Sequence, residues 1–288
     1  MSAGRRRVEG PSDLHLHSVH SDGTEPPAQV MQAVHRRGLR TVSLTDHDTT
    51  AGWAEAAEAA TSLGITFLPG MELSSTHEWR SVHVLGYLFD PDDPALRAET
   101  DRIRTARIGR AERIVAGIAR DYDLTWDDVV EQTGEGATVG RPHIADALVA
   151  RGLAADRSDA FAGILAPGGD YYVPHYAPDV ATAVSLIAGA GGVPVIAHPA
   201  GRGRMMPLSL YEELVGLGLG GVELGHRENS PEGAAVLADF ARRHDLIVTG
   251  SSDYHGLGKP NLPGEHTTSD EMVARIIDRA TGSTPVYP

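Results

Sequence analysis

The sequence predicts an α/β fold built of βαβ units, with barrel-like closure favoured over a doubly wound sheet. Three observations lead there. One unit recurs along the chain: a helical stretch stops at a glycine or a basic pair, a short apolar run follows, and a His, Asp or Glu closes the run. The runs are rich in Val, Ile and Leu, as in parallel strands buried on both faces. There are seven such runs, and their polar residues gather near the C-terminal ends, where a barrel of this kind carries its chemistry.

The elements follow in order. SDLHLHS (12–18) is the first strand, with polar residues on alternate positions. Thr24, Glu25 and Pro26 resemble an N-cap and first turn, Val30 and Val34 lie at i,i+4, and Gly38 is the stop. RRGLRTVSLTDH (36–47) holds the second strand. The alanine-rich stretch 49–63 is a helix ending at Gly64. LGITFLPGME (63–72) and SVHVLGYLF (81–89) hold the third and fourth strands. The rhythm then breaks. Helical stretches at 95–120, 125–132, 142–151 and 157–165 follow one another without a strand. GAGGVPVIAHP (189–199), LGGVELGH (219–226) and HDLIVTGSSDYH (244–255) supply the last three strands. The expected division is a flexible tail over 1–11, a barrel over 12–92 and 173–288, and a helical insertion over 93–172.

Composition bounds the function. Of 288 residues, 41% are hydrophobic and 22% charged, enough to bury a core and too apolar for disorder. No run reaches the roughly 18 apolar residues of a membrane span, so no membrane partner is expected. The basic start MSAGRRRVEG lacks the apolar segment of a secretory signal, and a cytoplasmic location is expected. With no cysteine, disulfides, thiolate metal sites and thiol nucleophiles are excluded. The net charge of −14 argues against binding long nucleic acid. Against 4 phenylalanines stand 14 histidines, and lysine occurs once, at Lys259.

The histidines are placed for metal chemistry. His15 and His17 sit at i,i+2 on the first strand, so both imidazoles face the same way. Asp22 follows in the next loop. His47 closes the second strand, Glu72 the third and His198 the fifth, and His83 lies on the fourth. Asp253 and His255 close the seventh, again at i,i+2. Nine such groups at one end of a sheet would repel one another and lose solvation unless cations joined them. All-nitrogen-and-oxygen ligation suits zinc, manganese or iron. Nine donors exceed one ion and allow two or three.

The pattern D-L-H-x-H-S…D-G-T…L-T-D-H-D…G-x-E…V-H-V-L-G…A-H-P…G-S-D-x-H-G resembles the PHP (polymerase and histidinol phosphatase) family from about Ser12 onward. Within it, the chain is similar to bacterial phosphoesterases acting on nucleoside 3′,5′-bisphosphates or on the 5′ ends of short oligonucleotides. The resemblance implies a distorted (β/α)7, TIM-like barrel with its helical insertion between strands four and five. It also implies two or three divalent ions (Mn, Fe or Zn) at the C-terminal mouth. His15, His17, Glu72 and Asp253 would hold the first, Glu72, His83 and His198 the second, and Asp22, His47 and His255 the third. Several relatives carry histidine where Asp22 stands, so that site is expected to be weaker or to prefer a harder ion such as manganese.

Such a site would hydrolyse a phosphomonoester by attack of a hydroxide shared between two ions, with Glu72 setting their separation. Arg141 and His143, in GRPHIA (140–145), are expected to bind the non-reacting phosphate; an arginine can grip it through two parallel N–H donors. Arg202 and Arg204 follow the His198 strand and are expected at the mouth. His226, ending GVELGH, could donate a proton or bind phosphate. Arg102, Arg104, Arg107, Arg110 and Arg113 read as a solvated helix face because acids are interleaved. Trp53, Trp79 and Trp126 read as packing residues, and Asp48 as an orienting partner of its neighbour His47.

Other readings compete. A binuclear amidohydrolase would need a carbamylated lysine on a middle strand, and Lys259 lies beyond the last. Histidinol phosphatase is a rival substrate assignment. A non-catalytic PHP module attached to a polymerase would have lost its ligands, and all nine are present. The partner expected is a small phosphorylated nucleotide or a short oligonucleotide; the sequence names no protein partner.

Overall fold

A computed structural model describes residues 10–133, 137–174, 176–201 and 205–288. The first part follows the expected unit. β1 (Ser12–Leu16) leads to α1 (Pro27–Arg36), which stops at Gly38 with φ of 76°. β2 (Thr41–Leu44) leads to α2 (Trp53–Ser62), which stops at Gly64 with φ of 70°. Glycine meets these left-handed C-terminal positions without the steric cost of a Cβ.

The third expected strand is instead two. β3 (Thr66–Phe67) and β4 (Gly70–His77) are separated by Pro69, which has no N–H to extend a ladder. β4 returns at once through Glu78 and Trp79 into β5 (Arg80–Tyr87), so the pair is antiparallel, with Glu72 opposite Leu85 and Ser74 opposite His83. Among the described residues there are therefore eight strands, not seven, and the sheet that holds this pair is mixed rather than parallel.

No strand is found among the described residues between β5 and β6. The first helices there are α3 (Pro94–Ile118), α4 (Trp126–Glu131), α5 (Arg141–Ala150) and α6 (Arg157–Ala162). Their apolar faces share a core of their own, including Ile114, Ile118, Val129, Ile144 and Leu148. The remaining chain alternates α7 (Val180–Gly189), β6 (Val193–Ile196), α8 (Leu208–Gly216), β7 (Gly221–Gly225), α9 (Pro231–Arg243), β8 (Ile247–Gly250) and α10 (Asp270–Arg279).

The strands form two sheets, β1-β2-β3 and β4-β5-β6-β7-β8. Their edges meet only at isolated bridges, Leu16 with Tyr254 and His47 with Glu72. The fold is mixed α/β, and the expected continuous barrel ladder is absent among the described residues. Side chains from both sheets nevertheless fill one interior: Leu14, Leu68, Leu85, Tyr87, Val195 and Ile247 pack together. The buried Tyr87 hydroxyl donates to the Leu14 carbonyl at 3.0 Å, tying β5 to β1 across it.

Candidate metal centre

The bridge between His47 and Glu72 marks the level at which β2 and β4 leave the apolar interior. At that level the strand ends converge. Glu72 Oε2 lies 3.2 Å from His15 Nε2, 3.1 Å from His17 Nε2 and 3.3 Å from His47 Nδ1. Its Oε1 lies 2.8 Å from His83 Nδ1 and 3.4 Å from His198 Nε2. Asp253 Oδ1 is 3.4 Å from both His15 Nε2 and His17 Nε2. Asp22 Oδ1 is 3.1 Å from His255 Nε2, and its Oδ2 is 3.8 Å from His47 Nε2.

All nine residues singled out in the sequence thus meet around Glu72. Among the described residues, three groups place their donor atoms within 4.8 Å of one another: His15, His17, Glu72 and Asp253; His17, Asp22, His47 and His255; and His47, Glu72 and His83. The grouping differs from the expected one in that His17 and His47 each belong to two groups. His198, expected with Glu72 and His83, falls in none of the three, though its Nε2 lies 3.4 Å from Glu72 Oε1.

The donor atoms are buried and unsatisfied. His15 Nε2, His17 Nε2, His47 Nδ1, His255 Nε2 and Glu72 Oε1 have no hydrogen-bond partner. Leaving such atoms unpaired costs about 1–3 kcal/mol each. They approach one another closely without hydrogen-bond alignment, as lone pairs converging on a shared cation do. The donor set therefore fits divalent ions, with nitrogen and oxygen ligands suited to manganese, iron or zinc.

Other contacts hold the rings in place. His15 Nδ1 is 3.1 Å from Glu223 Oε1, and Glu223 Oε2 accepts from the His198 backbone N–H at 2.9 Å. The His255 Nδ1–H donates to the Asp253 carbonyl at 2.8 Å. In the neutral rings of His15 and His255 these contacts leave Nε2 as the lone-pair nitrogen facing the cluster. His198 and Asp253 also have left-handed backbones, with φ of 33° and 54°. Non-glycine residues adopt this conformation at a cost, and it commonly marks functional sites.

His226 is placed differently from its expected role. Its Nδ1 accepts from the Glu228 N–H at 3.1 Å, so its proton is on Nε2, 3.5 Å from Asp253 Oδ2. The side chain is 0% exposed, and its Nε2 has no hydrogen-bond partner.

Charge in the cluster is tightly coupled. Burial opposes the charged forms of Glu72, Asp253 and Asp22, yet neighbouring imidazoles, and Lys259 beside Asp253, hold all three carboxyls well below the usual range. Burial also opposes protonation of His17, but Asp253 and Glu72 raise it to about 9. Burial pushes His47 well below the ordinary imidazole range.

A cavity of about 710 Å³ opens above the cluster. Its floor includes Asp22, His47, Glu72, His83, His198 and Asp253, and Arg141, Arg157, Arg227 and Lys259 line it as well. Arg141 is where the sequence places it, with its guanidinium 5.2 Å from the Phe161 ring centroid. His143 is not: it is buried, and its Nδ1 accepts from the Gly140 N–H at 3.1 Å to close the start of α5. It faces a separate cavity of about 420 Å³. Arg202 and Arg204 lie outside the described residues, as does the tail over 1–9.

Four contributors escaped the sequence reading. Arg157 pairs with both Asp146 oxygens and donates to the Asp22 carbonyl at 3.0 Å. Arg227 is held by Glu265. Lys259 Nζ lies 2.7 Å from Asp253 Oδ2. Glu223 is fully buried behind His15. Only Lys259 carried a signal, as the single lysine six residues beyond Asp253.

Of the α3 arginines, Arg102 and Arg113 are exposed as expected, but Arg107 and Arg110 do not belong to a solvated face. Arg107 Nε is 2.9 Å from Asp48 Oδ2, and Arg110 is 8% exposed and donates to the Val173 carbonyl at 2.6 Å. Asp48 binds the Ser74 N–H at 2.7 Å and its hydroxyl at 2.8 Å, so it fixes β4 rather than His47. Trp53 packs as expected, with its indole N–H on the Gly70 carbonyl at 2.7 Å. Trp79 does not pack at all: it is 98% exposed.

Comparison with known proteins agrees with this geometry. A profile described as PHP domain matches residues 13–126. The chain is 37% identical over 277 residues to a 3′,5′-nucleoside bisphosphate phosphatase of Chromobacterium violaceum, covering 93% of this chain and 95% of that one. It is 32% identical over 251 residues to a 5′-3′ exoribonuclease of Haemophilus influenzae, covering 84% and 89%. A solved structure described as a candidate metal-dependent phosphoesterase of Bifidobacterium adolescentis superposes with a TM-score of 0.92 at 41% identity, covering 96% of this chain and 98% of that one. With such identity over nearly its whole length, and with this cluster at its strand ends, the chain belongs to the PHP family and is a metal-dependent phosphoesterase, a hydrolase of phosphoester bonds.

Proposed function

We propose that the chain removes the 3′-phosphate of nucleoside 3′,5′-bisphosphates. The observation that carries this reading is one cavity with two means of holding a phosphate, a floor that would do so through bound divalent ions and a cationic wall that does so directly. Carboxylates and imidazoles form its floor, while Arg141, Arg157, Arg227 and Lys259 supply cationic lining. A ligand with two phosphates fits such a cavity, one on the floor and one against the guanidinium groups. The phosphatase from Chromobacterium violaceum, similar over nearly the whole chain, supports the choice.

His15, His17, Asp22, His47, Glu72, His83, His198, Asp253 and His255 would hold two or three divalent ions. Such ions supply Lewis acidity toward the phosphoryl oxygens and a water acidic enough to attack phosphorus near neutral pH. The chain's own residues do the rest. Glu72, in contact with five imidazoles, fixes the spacing of the floor. Glu223 holds the proton of His15 on Nδ1, and His226 holds Asp253. Arg141 orients the second phosphate from the helical segment 93–172, whose part in the site is to supply this cation together with Arg157.

Arg141→Ala should raise KM for adenosine 3′,5′-bisphosphate at least tenfold while changing KM for 5′-AMP little, since each charge-assisted hydrogen bond is worth about 1.5–3 kcal/mol. Equal effects on both substrates would remove Arg141 from this role. A second reading, 5′-3′ cleavage of short 5′-phosphorylated oligonucleotides, is favoured by the similarity to the Haemophilus influenzae exoribonuclease.

A further inference from the structure

The β4–β5 hairpin reaches past the metal centre. Glu72 and His47 sit at one level, and β4 continues from Glu72 for five more residues, to His77. At about 3.3 Å per residue, Trp79 stands roughly 13 Å beyond His83 along β5. The hairpin is held firmly. Ser74 is bonded to Asp48 and Arg107, and Thr76 bridges to Asp179.

Its tip is built against local preference. A two-residue hairpin turn with positive φ at both positions calls for Asn-Gly or a similar pair. Here Glu78 and Trp79 occupy those positions with φ of 46° and 69°. A bulky residue in that conformation is strained. The strain presents an indole that is 98% exposed, between the exposed side chains of Glu78 and Arg80. Neither turn stability nor core packing accounts for a tryptophan there.

We propose that Trp79 is a stacking platform for a base of a single-stranded oligonucleotide whose phosphorylated end occupies the metal centre. This rests on the phosphoesterase reading of the cavity and adds a subsite to it. Stacking on an aromatic ring serves any base, because every base has a π-face. Arg80, adjacent on the same tip, suits the backbone phosphate beside that base. A mononucleotide held on the floor does not extend to the tip, so the subsite bears on longer substrates only.

The test uses the metal-loaded full chain with a 5′-phosphorylated RNA pentamer whose phosphorothioate linkages resist cleavage, so that nothing turns over. Stacking on Trp79 quenches tryptophan fluorescence on binding. Trp79→Phe should keep the affinity seen by anisotropy within about threefold and lose that quenching, since a benzene ring still stacks. The double variant E78N/W79G suits the turn better, so it should melt at a higher temperature. It should also bind the pentamer about tenfold or more weakly. Its kcat/KM for adenosine 3′,5′-bisphosphate should be unchanged. Undiminished pentamer affinity in the double variant would overturn the proposal. So would parallel loss of bisphosphate turnover, or a dimer of the parent chain that this variant dissolves, which would make a second copy the occupant. If the parent binds the pentamer with quenching but hydrolyses no bisphosphate, the platform stands and the substrate assignment above fails.

Discussion

Glu72 shows how one side chain organises a site. It is 1% exposed, and its two oxygens lie within 3.4 Å of five imidazole rings. Those rings can offer lone pairs to a shared ion only if each proton is fixed on the opposite nitrogen, and for His15 that task falls to Glu223, 3.1 Å from Nδ1. Glu223→Gln should weaken divalent-ion affinity about 10–100-fold, with ligands and fold intact, because outer partners of ligating histidines have effects of that size. A metal titration followed by calorimetry reads this directly; unchanged affinity would remove Glu223 from the role. The cluster itself was legible in the sequence. His15 and His17, and Asp253 and His255, show the i,i+2 spacing of residues on one strand face. Glu223 was not, because nothing in GVELGH separates a buried acid from an exposed one. His143 misled for a similar reason: its residue type suits phosphate, but its position three residues into GRPHIA lets it accept the Gly140 N–H instead.

At the scale of elements, the helices were easier to read than the sheet. Glycine stops and apolar spacing announce α1 and α2. The β4–β5 hairpin was hidden because its turn is Glu78-Trp79, with neither glycine nor asparagine, and so an antiparallel pair was read as separate strands. The docking of α3 was hidden too. Arg107 lies among charges that look solvent-facing, yet its partner Asp48 is fully buried and arrives from the distant β2 end. This ion pair ties the helical segment to the site, with Arg107 Nη2 also donating to Ser74 Oγ at 2.6 Å. Arg107→Ala leaves the Asp48 charge buried with only Ser74 as partner. Loss of about 3 kcal/mol of stability is expected, as for other buried pairs deprived of one member. Urea unfolding measures it, and an unaltered midpoint would contradict the account.

Over the whole molecule, charge and metal are linked. The net charge of −14 opposes the approach of a long polyanion, while the cavity concentrates cations where a small anion needs them. Metal loading also moves protons. Before an ion binds, Asp253 and Glu72 keep His17 protonated up to about 9. Ligation requires the bare nitrogen, so an incoming divalent ion must release that proton. Apparent affinity should therefore fall as pH drops below about 9, and titrating the chelated chain near pH 7.5 should release at least one proton per chain. Calorimetry in buffers of different ionisation enthalpy counts them. Binding without proton release would contradict the arrangement around His17. No helix among the described residues is long and apolar enough to cross a membrane.

The central claim is tested most directly by phosphate release from adenosine 3′,5′-bisphosphate by the manganese-loaded chain, measured beside 5′-AMP, histidinol phosphate and a 5′-phosphorylated RNA trimer. The account predicts release of the 3′-phosphate with a kcat/KM well above that for 5′-AMP and histidinol phosphate. Efficient release of mononucleotides from the trimer with little bisphosphate turnover, or faster hydrolysis of histidinol phosphate, would contradict it.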